Sequence, residues 1–337
     1  MDTAVVILNW NGLKMLQTYL PTLVRRTRTP GAFIVVADNG STDGSVEWLA
    51  SEWPDIKVIR FDSNYGFTGG YNRALREIDA DYYVLLNSDV EVTDGWLDPL
   101  VGFLEENPDA GICQPKVRSV AEPDRFEYAG AAGGFIDHFG YPFCRGRILS
   151  NLEKDTGQYD EAVECFWATG ACMVVRSALY HHLGGLDESF FAHMEEIDFC
   201  WRAKLLGYQV WCVPASTVYH VGGGTLPNNS PRKLYFNYRN NLLMLYKNLP
   251  DRGRRRRILV RMCLDGASAA VYLVTGKWSF FKAVCKAHRD YRRMKRELDP
   301  SPFEEDRNYA GLYDGSIVLR FFLSGKKLRW SDIERDL

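Results

Sequence analysis

Two short acidic clusters and one histidine carry the residue types that can do chemistry in this chain. Asn87-Ser88-Asp89 follows the apolar, aromatic and β-branched run Tyr82 to Leu86, which lacks alternation and so predicts a strand buried on both faces of a parallel sheet. A carboxylate at the carboxyl end of such a strand stands where open α/β sheets bind ligands, so Asp89 is placed for a divalent metal or a phosphate-bearing group. Taken alone, the triplet is better read as a cap on the turn into the next helix. The second cluster, Glu195-Glu196-Ile197-Asp198, begins a helical pattern. Helix geometry puts Glu195, Asp198, Phe199 and Arg202 on one face and Glu196 about 100° away. Acids at a helix start also favour the dipole, yet three in four residues cannot all be buried and ionised without a cation nearby. His220 lies before Gly222-Gly223-Gly224. A lone histidine of this kind is more often structural than a ligand.

The elements that must hold these groups read as alternating strands and helices. Ala4 to Leu8 predicts a strand and Leu13 to about Val24 a helix; Phe33 to Ala37 and Val46 to Trp53 repeat the unit. Lys57 to Phe61 is a third strand, with Asn64-Tyr65-Gly66-Phe67-Thr68-Gly69-Gly70 as a loop into a helix from Tyr71 to Ile78. The alternation predicts an α/β domain with a mostly parallel sheet covered on both faces. Asp38-Asn39-Gly40-Ser41-Thr42-Asp43 is a good helix cap as well as a polar loop at a strand end. The glycines Gly66, Gly69 and Gly70 match neither a dinucleotide fingerprint nor a P-loop.

With 337 residues, 46% hydrophobic and 13% aromatic, the chain has ample material for a core. The net charge of −2 argues against a nucleic-acid partner, although Arg252, Arg254, Arg255, Arg256 and Arg257 crowd together. Eight dispersed cysteines read as buried free thiols of a reducing compartment. The N-terminus shows no basic stretch followed by an apolar run, so no signal peptide and a cytoplasmic location are expected.

Taken in order, Asn9-Trp10-Asn11-Gly12, Asp38-Asn39-Gly40-Ser41-Thr42-Asp43, Asn64-Tyr65-Gly66-Phe67 with Gly69-Gly70 and Asn72, and Asn87-Ser88-Asp89 resemble the family-2 inverting glycosyltransferases, and their rhamnosyltransferase-like branch in particular. The resemblance runs from about Thr3 to about Leu249. It implies a GT-A fold, with a nucleotide-sugar half at 1–117, an acceptor half at 118–225 and a helical, basic extension at 226–337. It implies that Asn9, Asn11, Asp38, Asn39, Asn64, Gly66, Phe67, Gly70, Asn72, Asn87 and Ser88 bind the donor, with Asp38 on the base or ribose. Asp89, helped by His220, is implied to hold Mn²⁺ or Mg²⁺ on the diphosphate. The usual Asp-x-Asp is Asn87-Ser88-Asp89 here, one carboxylate instead of two, so water or the diphosphate must complete the metal's shell. The family's Glu-Asp-x-Asp is Glu195-Glu196-Ile197-Asp198, which leaves the base open between Glu196, at the usual position, and Glu195. Trp167, Thr169, Gly170, Asp198 and Arg202 are expected on the acceptor side.

Residues 118–161, rich in glycine and without a sustained period, read as an excursion carrying acceptor contacts, with Tyr128, Phe135, Phe139 and Tyr141 as stacking candidates. Gln209 to Val213 predicts a short strand and Lys233 to Leu249 a helix. The Gly222–Gly224 run is expected to close over the donor. Beyond it, Ile258 to Thr275 is too interrupted to span a membrane. It reads as a basic amphipathic helix in peripheral contact with an anionic membrane at its inner face, with docking on the catalytic half as the plainer reading. The partners implied are a nucleoside-diphosphate sugar and a glycan or lipid-linked acceptor. Two rivals remain. A nucleotidyltransferase needs a basic glycine-rich loop after the first strand, where this chain has Asn9-Trp10-Asn11-Gly12. A carbohydrate-binding subunit without catalysis is countered by the presence of Asp89, Glu196 and His220.

Overall fold

The computed structural model describes residues 1–222, 230–300 and 309–337. The first half alternates as the apolar runs dictate: β1 (Thr3–Asn9), α1 (Leu13–Arg26), β2 (Ala32–Asp38), α2 (Ser45–Glu52), β3 (Lys57–Arg60), α3 (Gly66–Arg76), β4 (Tyr82–Leu86), β5 (Val90–Val92), α4 (Asp98–Glu106) and β6 (Ala110–Ser119). Four short strands follow: β7 (Gly134–Asp137), β8 (Pro142–Cys144), β9 (Arg147–Ile148) and β10 (Asn151–Leu152). Then come β11 (Val163–Cys165), β12 (Cys172–Arg176), α5 (Ser177–His182), α6 (Glu195–Leu205) and β13 (Gln209–His220). The rest is α7 (Pro231–Asn248), α8 (Asp251–Val274), α9 (Trp278–Met294), β14 (Leu312–Tyr313) and α10 (Ile317–Leu323).

The central sheet runs β11-β13-β6-β12-β4-β1-β2-β3, with β5 beside β13. β3, β2, β1 and β4 are mutually parallel, and β6 and β13 continue in their direction across the antiparallel β12. Strand alternation supplies both faces of the core. Val5, Ile7, Val84 and Leu86 face α1, α2 and α4, whereas Ala4, Val6, Tyr83 and Leu85 face α3, α5 and α6. A strand buried on both sides cannot show a polar period, which is why Tyr82 to Leu86 reads as an unbroken apolar run.

Three local expectations change. Gly66, Gly69 and Gly70 lie inside α3 rather than in a loop before it, because Gly70 lets the helix approach Leu8, whose methyl carbon lies 2.6 Å from where a Cβ would stand. The strand at Gln209 does not stop at Val213. It continues as one twelve-residue strand to His220 across a register shift between Val213 and Thr217, a break that hides the continuity from a period-2 reading. Residues 118–161 are not an irregular excursion, since β7 to β10 form a second, five-stranded sheet completed by β14. Of the aromatic residues named there, Tyr128 alone is exposed, under the guanidinium of Arg147 at 4.4 Å.

The C-terminal extension does not stand apart from this body. β14 pairs in parallel with β7, and the Trp330 ring packs 4.4 Å from that of Phe135. α8 is tied to the same sheet by a buried ion pair. Arg261 donates to Asp265 at 2.9 Å and to the Phe139 carbonyl at 3.1 Å, and lies 3.8 Å over the Tyr141 ring. Asp265 also meets His288 of α9 at 3.2 Å. The plainer reading of the tail, docking on the catalytic half, is therefore realised. Among the described residues no helix is long and apolar enough to cross a membrane.

Breaking a buried pair from one side leaves an uncompensated charge, so Arg261→Met should lower unfolding stability by about 3–5 kcal/mol. The exposed Arg255→Met should stay within about 0.5 kcal/mol. Urea midpoints of the two variants against the wild type check this.

Candidate active site

The carboxyl ends of β1, β2 and β4 deliver the first group of polar side chains. Asn9 and Asp38 are register partners at the ends of β1 and β2. The Asn9 amide donates to Asp38 at 3.0 Å and to Ser41 at 3.1 Å, while Asp38 accepts the Ser41 N–H at 3.0 Å. The Asn39 amide donates to Asn64 and to the Gly66 carbonyl, both at 3.0 Å, and its oxygen accepts the Tyr65 N–H. Asn11 accepts from the Thr42 backbone at 2.8 Å. Gly12 lies so close to Asn9 that a Cβ would sit 2.4 Å from its amide oxygen, with the Ser88 hydroxyl 3.6 Å away. These bonds bring the loops after β1, β2 and β3 together into one rim. Asn72 behaves differently. Its amide oxygen accepts from Tyr180 at 2.7 Å and the Leu186 N–H at 2.9 Å, and its nitrogen donates to the Leu186 carbonyl at 2.7 Å. Buried and fully engaged, it clamps the Leu186 turn instead of lining a donor pocket.

Asp89 and His220 meet at the ends of β4 and β13. His220 Nε2 is 3.2 Å from Asp89 Oδ1 and 3.5 Å from the Asn87 amide. On its other side Nδ1 faces Glu127 Oε1 at 3.6 Å, too long for a hydrogen bond. Burial opposes charge on this imidazole, but Asp89 and Glu127 outweigh it and push its pKa to about 10. The pair fits a divalent cation in donor chemistry. Asp89 offers an oxygen, and His220 Nε2 a nitrogen once an ion displaces its proton, with the Glu127 carboxylate 3.6 Å from the opposite ring nitrogen. Among the described residues no group of three or more such side chains is assembled, so an ion held here would depend on oxygens from a ligand.

The second centre is the start of α6. Phe191, His193 and Met194 all have positive φ, at 64°, 70° and 71°, a conformation that L-residues keep only when their surroundings impose it. Asn240 of α7 imposes it here, donating to the carbonyls of Phe190 at 3.1 Å, Ala192 at 2.8 Å and His193 at 2.7 Å. Arg239 adds donations to Ser189 and Phe190. The Phe191 carbonyl in turn accepts the Phe67 N–H at 2.9 Å, and Gly66, at φ +74°, leaves room for the Phe191 ring. The donor-side loop and the acidic turn are thus one construction.

Within that turn the acids separate by environment. Asp198 is completely buried and ionically satisfied: Arg202 donates at 2.8 Å, Asn248 at 2.8 Å and Lys247 at 3.0 Å. Glu195 is buried, with no ion pair among the described residues. Desolvation, then repulsion from Glu196, raise its pKa well above the carboxylate range, and Oε2 has no partner. Glu196 is only partly buried, and desolvation raises its pKa to about 7 against backbone donors and the nearby Lys233. Its Cβ lies 3.9 Å from where Gly170 would carry one, with the Phe67 ring at 3.3 Å from the same point.

Four acceptor-side expectations are corrected. Asp198 and Arg202 form the buried tie between α6 and α7, and Arg202 also donates to the Leu183 and Gly185 carbonyls. Trp167 is buried and donates to the Phe135 carbonyl at 2.8 Å, and buried Thr169 bonds to Ala129 and Gln114. Gly170 borders Glu196. Gly223 and Gly224 of the expected closing loop lie outside the described residues. Glu127, Lys233 and the His193 turn went unread in the sequence. Glu127 sits in a stretch with no period, and Lys233, which feels both Glu127 and Glu196, opens a helix like any surface lysine. The cysteines are all free; six are buried, but Cys263 and Cys285 are exposed.

Removing the Asn240 amide should leave the Ala192 and His193 carbonyls without their side-chain donor, so Asn240→Ala is expected to cost about 1–3 kcal/mol. It should also speed amide hydrogen exchange across 190–197 while β1 to β4 stay protected.

The chain is 26% identical over 234 residues to N-acetylglucosaminyl-diphospho-decaprenol L-rhamnosyltransferase of Mycobacterium tuberculosis, covering 64% of this chain and 75% of the relative. Its structure resembles S. aureus TarS 1-349 in complex with UDP-GlcNAc, with a TM-score of 0.57 at 15% identity over 88% of this chain and 84% of that one. It also resembles the mannosyltransferase PcManGT from Pyrobaculum calidifontis in complex with GDP-Man and Mn²⁺, with a TM-score of 0.53 at 13% identity over 88% and 87%. The architecture is the GT-A fold. The profile of Glycosyl transferase family 2 matches residues 4–184, and the chain belongs to that family.

Proposed function

We propose that the protein transfers a sugar from a nucleoside-diphosphate donor, dTDP-rhamnose or a UDP-sugar, to a hydroxyl of a glycan or lipid-linked acceptor in cell-surface polysaccharide synthesis. The observation that carries this reading is the pairing of a half-buried carboxylate with a pKa of about 7, Glu196, with a separate cationic centre at Asp89 and His220. Ser88, next to Asp89, lies beside Gly12 and Asn9, and Glu196 lies beside Phe67 across Gly170. The relative named as a rhamnosyltransferase on a diphospho-decaprenol acceptor supports the sugar and acceptor class.

In this reading the acceptor hydroxyl gives its proton to Glu196 as its oxygen attacks the anomeric carbon, the bond to the donor phosphate breaks, and configuration inverts in a single displacement. A base works best with a pKa near the operating pH, and among the acids of the turn Glu196 is the one in that range. Glu195, held protonated, serves as a neutral neighbour that lets Glu196 ionise without a second buried anion. Asp38 and Asn64 bind the nucleoside end, and His220 sets positive charge where the diphosphate leaves. A Mn²⁺ or Mg²⁺ ion at Asp89 and His220 would take the place of the Nε2 proton and supply Lewis-acid stabilisation of that diphosphate. A lipid-linked acceptor would bring the protein to the cytoplasmic face of a membrane, where nucleotide sugars are made.

The test is donor hydrolysis over a panel of dTDP-, UDP- and GDP-sugars with and without Mn²⁺ or Mg²⁺. One donor should be hydrolysed only with the ion, and Asp89→Ala should lower the rate by about 10²–10³-fold. Hydrolysis of none, with none bound by calorimetry, would favour a subunit without catalysis. Because the base must be ionised, the rate should rise with pH through about 7, and Glu196→Gln should abolish transfer and that limb together.

A further inference from the structure

α8 is built inside out. Between Arg257 and Lys277 the sequence holds two charged residues, Arg261 and Asp265, and both are buried, at 4% and 1% exposure. The outward face is apolar instead: Leu259 is 63% exposed, Val271 57% and Val274 82%, and Trp278 follows at 59% just past the helix end. The exposed positions 259, 260, 263, 267, 270, 271 and 274 recur at helical spacing, so they form one stripe roughly 22 Å long at 1.5 Å per residue. A water-facing helix normally shows the opposite arrangement.

Cations bound this stripe at both ends. At its start the chain kinks at Arg252 and Gly253. There Arg252, Arg256 and Arg257 line a cavity of about 640 Å³ with His138 and Val260, while Arg254 turns inward to the Leu249 carbonyl. At its far end stands Lys277. Alongside, α9 packs against α8 and exposes Lys282, Lys286, Arg289, Arg292 and Arg293. A second copy of the chain paired antiparallel on this face would bring like charges together at both ends. An anionic lipid surface would neutralise them and also accept the valines.

We propose that the outer face of α8 seats the protein on an anionic bilayer, its apolar stripe entering the acyl boundary and the arginine-lined cavity taking a lipid phosphate. The seat needs no donor, acceptor or metal, and it rests on the transferase reading only for its biological setting. It also differs from a basic amphipathic helix with a charged outer face, because here the charge sits at the ends and on the neighbouring helix.

The experiment is co-sedimentation of the full chain with vesicles of phosphatidylglycerol and phosphatidylcholine, against vesicles of phosphatidylcholine alone. The wild type should partition into the anionic vesicles, less so at high salt, and Val271→Glu with Val274→Glu should lower the partition coefficient by about tenfold or more. Arg252→Glu with Arg256→Glu should remove the preference for anionic lipid. All four side chains are exposed, and unchanged melting temperatures and donor hydrolysis separate a lost seat from a lost fold or a lost active site. Equal partition into both vesicle types, or partition untouched by the valine changes, overturns the proposal. So does a dimer in sedimentation velocity that the valine changes dissociate without any vesicle binding.

Discussion

The Asn240 amide, whose two N–H groups are shared among the carbonyls of Phe190, Ala192 and His193, holds a backbone turn that would not persist by itself. Left-handed φ at three non-glycine residues, each of order 1–3 kcal/mol, aims the first turn of α6 into the site. The same turn accepts the Phe67 N–H and packs its phenyl ring over Gly66. A helix far along the chain, α7, therefore determines where the acid on α6 stands relative to loops formed by β1 to β3. Buried amides suit this task because each unpaired carbonyl would be expensive in a low-dielectric interior.

The same interior decides the charge state of each acid. Asp198 has Arg202, Lys247 and Asn248 within 3.0 Å and acts as a fixed anion of the scaffold. Glu195, three residues away and also buried, has no ion pair among the described residues and is driven to its neutral form. Glu196 occupies the boundary between these conditions. Desolvation raises it, the helix start and Lys233 oppose the rise, and the outcome is a group poised near neutrality. Across the site, His220 is driven the opposite way by Asp89 and Glu127. An acid poised to take a proton and a centre poised to hold positive charge thus arise from one principle, the unequal compensation of buried charge.

The C-terminal helices obey that principle with their faces exchanged. Arg261 and Asp265 are tolerated inside because they pair with each other and with Phe139, Asn241 and His288. Burying the charge leaves the apolar residues outside. The helix docks on the small sheet through polar contacts and presents valines and a leucine outward, which is why α8 is both integral to the catalytic body and unfinished on its outer surface.

Much of the fold was legible in the residues, because a strand buried on both faces and a helix with one apolar stripe leave period signatures over five to fourteen residues. Tyr82 to Leu86, Leu13 to Arg26 and the polar loops after β1 and β2 were read at nearly their observed bounds, and Asn9, Asp38, Asn39 and Asn64 are joined by hydrogen bonds. Long-range partners were not legible: Arg202 stands four residues after Asp198, but nothing local shows that Lys247 and Asn248 of α7 complete its shell. The sequence alone determined which residue types stand at strand ends and helix starts. Tertiary structure decided which of them are charged and which are ties: Asn72, Thr169, Asp198 and Arg202 became scaffold, and Glu127 and Asn240 entered the site. The physical reason is that a side chain's ionisation and role depend on desolvation and on partners tens to more than a hundred residues away, which only the folded chain brings within hydrogen-bonding distance.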